Sequence, residues 1–264
     1  GLALDFEWTN KTLFFSQYTR NNSFFSNSSY AAQGLPGAEE LQLLHPFRNR
    51  LPSEVFTQPL TPPSTDPPSS LRNNMGLAQS LLTEAGWTVK QGALVDGKGE
   101  PFRFEILLAD GSFARVVAPY VANLEKLGIA VSYRTIDPAL YAERVKNFDF
   151  DMMVTSFGQS QSPGNEQRDY WTSAAADRKG SRNIIGIKDP VVDRLVDAII
   201  YAESQEALTT ACRALDRVLW YGYYIVPHWY LAHHRLAYAA KLKHPQTLPL
   251  YYSYDQWLDT WWTE

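Results

Sequence analysis

Between residues 102 and 136 the hydrophobic period changes twice, and this limits the folds open to the chain more than any other feature. Phe102 to Leu108 reads as a strand, Ser112 to Leu127 as a helix turning Val116, Val117, Tyr120, Val121, Leu124 and Leu127 inward, and Ile129 to Ile136 as a second strand. Gly128 closes the helix. That order builds a parallel strand pair through a right-handed crossover. It predicts an α/β fold.

The same reading extends along the chain. Residues 2 to 18 carry Leu2, Phe6, Leu13 and Phe14 at helical spacing, and Gly37 to Arg50 repeats the pattern with Leu41, Leu44 and Phe47. Pro59, Pro62, Pro63, Pro67 and Pro68 exclude regular structure over residues 57–70, a surface strap. A helix from Asn73 or Asn74 places Leu77, Leu81, Leu82 and Ala85 on one face and stops at Gly86. Asp137-Pro138 and Asp189-Pro190 each start a helix, with the Asp as cap and the Pro at its first turn. Phe148 to Phe157 reads as a strand, buried at Met152 to Val154, that runs into a loop at Gly158. Ser204 to Leu219 is a helix with Cys212 on its apolar stripe. Tyr223 to Tyr230 and Arg235 to Tyr238 read as strands, and Tyr254 to Trp262 as an aromatic terminal segment.

Composition removes several functions. Lys plus Arg number 24 against 28 Asp plus Glu, so no overall field attracts nucleic acid or an anionic membrane. The single cysteine excludes an internal disulfide and a cysteine-based zinc site. No nucleotide-binding or hydrolase motif occurs, and no cofactor is expected. His233 and His234 point to opposite faces of an extended chain and do not converge on a metal ion, so no metal is expected either. Asp149 and Asp151 share a strand face as solvated carboxylates, the weak basis for a hydrolase reading that would also draw on Glu166. Asn10, Asn21 and Asn27 begin glycosylation-type triplets of the kind that recur by chance.

The informative stretch is the loop from Phe157 to Trp171. Open α/β sheets bind ligands where loops leave their strands. Here Phe157, Gly158, Gln159, Ser160, Gln161, Ser162, Asn165, Glu166 and Asp169 are expected to bind, with Trp171 and Trp229 as aromatic walls.

Ala3-Leu-Asp-Phe-Glu-Trp-Thr-Asn-Lys11, Ser160 to Gln167, Gly180 to Asp193 and Ala214 to Leu219 resemble motifs of the family 5 extracellular solute-binding proteins of ABC importers, in their YejA-like branch linked to oligopeptides and microcin C. The resemblance runs over essentially the whole chain. It implies a periplasmic-binding-protein-like lobe of type II with a mixed sheet flanked by helices, and no enzyme. Residues 1–228 would form the second lobe, and residues 229–264 would return to a first lobe that is not in this chain. The abrupt opening at Gly1 reads as a cut from a longer protein, with a signal peptide expected upstream.

The implied partners are an oligopeptide, modified ones included, and an ABC permease in the inner membrane, with the protein itself in the periplasm. Ser160 falls where peptide-binding members carry an Asp for the ligand's amine, so Glu166 or Asp169 replaces it, or the ligand lacks a free amine or is not a peptide. Neutral amides and hydroxyls at Gln159, Ser160, Gln161, Ser162 and Asn165 leave an oligosaccharide or opine as the alternative ligand. Without the first lobe, Trp257, Trp261 and Trp262 would expose apolar surface and favour dimers.

Overall fold

A computed structural model describes residues 1–233, 235–247 and 258–263. In chain order the elements are α1 (Phe6–Leu13), β1 (Thr19–Arg20), α2 (Ala38–Leu44), α3 (Glu54–Thr57), α4 (Leu71–Glu84), β2 (Thr88–Lys90), β3 (Ala93–Val95) and β4 (Arg103–Leu108). They continue with α5 (Ala114–Lys126), β5 (Ala130–Thr135), α6 (Pro138–Lys146), β6 (Met152–Met153), α7 (Glu166–Trp171), α8 (Ser173–Ala176), α9 (Pro190–Ile200), α10 (Gln205–Tyr221), β7 (Trp229–Tyr230), β8 (Leu242–Lys243) and β9 (Trp262–Thr263).

The strand, helix, strand unit is present as β4, α5 and β5. The two strands pair in parallel, and β6 joins the other edge of β4, also parallel, to give the order β5-β4-β6. Antiparallel pairing occurs apart from this sheet, in the two-stranded ribbons β1-β7, β2-β3 and β8-β9. Ile106 and Leu108 of β4 are buried under Val117 and Val121 of α5, and Leu107 between them is equally buried. Gly128 has φ +82°, and a Cβ there would stand 2.7 Å from the Leu94 nitrogen, so only glycine lets the end of α5 lie against β3.

A second, larger core is helical. Val191, Val192, Leu195, Val196 and Ile199 of α9 face Leu208, Ala211, Cys212, Leu215 and Leu219 of α10, joined by Leu44, Phe25 and Trp171. Burial pushes the Cys212 thiol up to about 12, aided by the charges of Asp216 and Glu166, so it is an inert core residue.

Charged groups on α10 hold the long loop between β1 and α2. The fully buried Asp216 carboxylate accepts hydrogen bonds from Ser23 Oγ, Phe24 N and Ala32 N. The Arg217 guanidinium, equally buried, pairs with Glu40 at 2.6 Å and donates to the carbonyls of Gly34 and Gln33. These contacts fix the segment from Ser23 to Glu40 across one face of the helical core.

Some elements differ from the sequence reading. The helix expected over residues 2–18 is confined to Phe6–Leu13 by the Asp5 cap, and the one from Gly37 ends at Leu44, where Pro46 forces a 3-10 turn. In α4 the inner face is Met75, Ala78 and Leu82, whereas Leu77 and Leu81 are 51% and 48% exposed. The strand expected from Phe148 shrinks to Met152–Met153 and is half-buried, because it has a neighbour on one side only. Arg235 to Tyr238 forms no strand. The short β2-β3 hairpin and α3 carried no signal strong enough to be read. His234, Trp257 and the start of the segment from Tyr254 lie outside the described residues.

Candidate functional site

A cleft of about 1530 Å³ separates the sheet from the helical core. One wall is the sheet side, with Phe104, Ile106 and Met152; the opposite wall is the loop from Asn21 to Tyr30, which Asp216 holds in place. Beyond β6 the chain forms no regular element and follows the cleft, with Thr155, Ser156, Phe157, Gln159, Ser160 and Gln161 in its lining. The backbone N–H groups from Thr155 to Ser160 donate no hydrogen bond among the described residues. The outer edge of β6 is likewise unpaired.

Aromatic groups bracket the cleft. Phe157 packs on Trp171 at 4.9 Å and on Phe24 at 6.2 Å, and Tyr170 meets Phe157 edge-on. At the other lip His228 stacks on Trp229 at 4.6 Å and on Phe113 at 6.0 Å. Burial, reinforced by the charge of Arg20, lowers the His228 pKa from 6.5 to about 4, so this imidazole is neutral at pH 7. Trp229 is positioned by the pairing of β7 with β1. Arg20 lies over the Phe6 ring at 5.1 Å behind this lip, with no hydrogen-bond partner for its guanidinium among the described residues.

The structure places Phe157, Gln159, Ser160, Gln161 and Trp229 on the cleft, and the others outside its lining. Trp171 is 0% exposed; it stands one layer behind Phe157 as core, because its indole N–H is satisfied by Gln167 at 2.8 Å. Asp169 is turned away into an ion pair with Arg178 and accepts from the Arg182 backbone. Gly158 gives its carbonyl to the Tyr170 hydroxyl, and Ser162 and Asn165 are exposed on the far side of the loop.

Glu166 accepts from Gly164 N at 2.9 Å, Ser160 Oγ at 3.1 Å and Gln167 Nε2 at 3.2 Å. Burial raises its pKa, but these hydrogen bonds outweigh that and hold it below the usual carboxylate value. A carboxylate is therefore present beside Ser160. Asp149 is paired with Arg144, and Asp151 accepts from Glu105 N, so the two carboxylates are tied to separate partners rather than to each other. Among the described residues no group of His, Cys, Asp and Glu could hold a metal ion.

Sequence reasoning missed the opposite wall. Asn21, Ser26, Asn27 and Ser28 line the cleft, together with Phe113 and His228. The signal was the cluster of Asn and Ser on either side of Phe24 and Phe25, from Asn21 to Ser29, set aside as glycosylation triplets that recur by chance.

An α/β lobe with a ligand-sized cleft at the end of its parallel strands, walled by aromatics and unpaired backbone, is a periplasmic-binding-protein-like lobe. The chain belongs to the bacterial extracellular solute-binding proteins, family 5 Middle, which residues 1–179 match. It is 45% identical over 250 residues to an uncharacterized protein, y4wM, of Sinorhizobium fredii, covering 94% of this chain and 38% of that one. It is 40% identical over 262 residues to the probable peptide-binding protein YejA of Agrobacterium fabrum, covering 99% and 42%. The oligopeptide-binding protein AppA of Bacillus subtilis, solved with a nonapeptide, has a TM-score of 0.69 over 100% of this chain and 46% of its own, at 17% identity, a likeness of fold. The chain spans about two fifths of the length of the curated relatives it matches. No helix among the described residues is long and apolar enough to cross a membrane.

Proposed function

We propose that this chain is the second lobe of an extracytoplasmic solute-binding protein that captures oligopeptides for an ABC permease. The observation that carries the reading is the segment from Thr155 to Ser160 along the cleft, whose backbone N–H groups donate to nothing among the described residues. An extended peptide adds to such an edge as a strand; its main chain supplies affinity for many sequences, and its side chains enter the space between Phe157 and Trp229. Glu166, ionised and in contact with Ser160, supplies the negative charge that a peptide ammonium needs in a partly dry cleft. Kinship with a probable peptide-binding protein and the fold shared with AppA support the same ligand class.

In this reading residues 1–228 form the lobe, residues 229–264 return toward a first lobe, and the protein works in the periplasm. Native mass spectrometry of the full-length protein, purified without denaturation, tests it. Bound masses in the peptide range that exchange with added tripeptides to nonapeptides are expected. Bound sugars that peptides do not displace would overturn it.

A further inference from the structure

The orientation of one side-chain amide in the cleft wall is fixed from behind. Trp171 Nε1 can only donate, and it is 2.8 Å from Gln167 Oε1, so the Gln167 oxygen faces the indole. The Gln167 amino group must then point the other way, where it meets Gln159 Oε1 at 2.7 Å and Glu166 Oε1 at 3.2 Å. Both are acceptors. Flipping Gln167 would set its oxygen against the Glu166 carboxylate and leave the indole N–H unmatched.

Each step constrains the next. Because Gln159 receives a hydrogen bond through its oxygen, its Nε2 is the free end of the relay. That nitrogen has no partner among the described residues and is shielded from solvent. Gln167 and Trp171 are fully buried, and of the three residues Gln159 alone lines the cleft. A dry, unsatisfied donor is costly and is retained where something else satisfies it.

We propose that Gln159 donates its amide N–H to a carbonyl oxygen of the bound peptide, with Trp171, acting through Gln167, as the positioning residue that sets this polarity. The proposal rests on the peptide reading above. It makes the loop a reader of ligand polarity: a backbone carbonyl fits at Gln159, and a donor there is rejected. Hydroxyls such as Ser160 rotate to suit either partner, whereas this amide does not.

Gln159→Glu is the direct probe: it keeps an oxygen for Gln167 and replaces the outward donor with an acceptor, but it also adds a negative charge near Glu166, so the neutral Gln159→Met is measured beside it. The full-length protein is first equilibrated with an equimolar pool of tripeptides to nonapeptides, and the best-retained peptide is then titrated by calorimetry. Both variants are expected to weaken binding about tenfold to a hundredfold, with melting temperatures recorded so that the loss is read from protein that is folded at the titration temperature. In a Trp171→Phe background the loss from Gln159→Glu is expected to shrink, since one of the two contacts that fix the Gln167 amide is then gone and only Glu166 holds it; if that background does not fold, Gln167→Met breaks the relay at its centre. Gln159→Glu binding as tightly as the parent overturns the proposal. An equal loss in both backgrounds removes Trp171 from it. A parent protein that retains no peptide from the pool overturns the peptide reading itself and this inference with it.

Discussion

Asp216, buried behind the loop from Ser23 to Ala32, and His228, on the lip of the cleft, respond to acid in opposite senses. Burial raises the Asp216 pKa from 3.8 to about 6 against the hydrogen bonds of Ser23, Ala32 and Phe24, while burial lowers His228 from 6.5 to about 4. The folded chain binds a proton at Asp216 before the unfolded chain does, so that contribution is full below about pH 3.8 and is lost as pH rises through about 6. At His228 the unfolded chain binds first, so stability present above about pH 6.5 is lost as pH falls toward 4. The two slopes offset each other. Urea unfolding at stepped pH should show Asp216→Asn losing stability more steeply than the parent between pH 6 and 4, and His228→Gln less steeply. A parallel response of all three proteins would refute the assignment. None of this was legible in the sequence, where Asp216 is one more charge on an amphipathic helix; its burial depends on the loop from Ser23 to Ala32 folding over it.

Elements were legible where local signals agreed and ambiguous where two patterns competed. The Asp-Pro caps of α6 and α9 were readable because the cap and the first turn are set by adjacent residues. In α4 both Met75-Ala78-Leu82 and Leu77-Leu81-Ala85 satisfy a helical period, and only packing against the sheet decides between them. The cleft loop was placed correctly as a strand exit, but Trp171 was misread as a wall, since sequence cannot tell an aromatic at the surface from one a layer beneath it. Gly128 is the element boundary most exposed to test. Gly128→Ala forces a positive φ on a residue with a Cβ and drives that atom against the Leu94 backbone. A loss of about 2 kcal/mol or more is expected, read as a lower urea midpoint at unchanged slope. No change would mean that α5 and β3 separate readily.

At the scale of the whole molecule the last residues differ from the rest. Leu231, Leu236, Tyr238, Leu258 and Trp262 are all more than two fifths exposed, although Tyr238 and Trp261 pack on each other at 4.6 Å. The isolated 264-residue chain is therefore expected to self-associate, with light scattering after size exclusion showing dimers or larger species, and Leu236→Ser with Trp262→Ser shifting it toward monomer. A monomeric parent at high concentration would contradict this.

The pairing of β1 with β7 joins Arg20 to Trp229 across more than two hundred intervening residues. So small a ribbon closing so long a loop forms late in folding, after the parallel sheet has condensed from nearer contacts and alongside the helical core, whose loop from Ser23 reaches Asp216 over a similar span. During synthesis Thr19 and Arg20 wait unpaired until Trp229 and Tyr230 have been made, some two hundred residues later. A product that stops short of Trp229 can thus acquire the parallel sheet and still lack a finished cleft, and ligand capture reports closure of this ribbon rather than compactness alone.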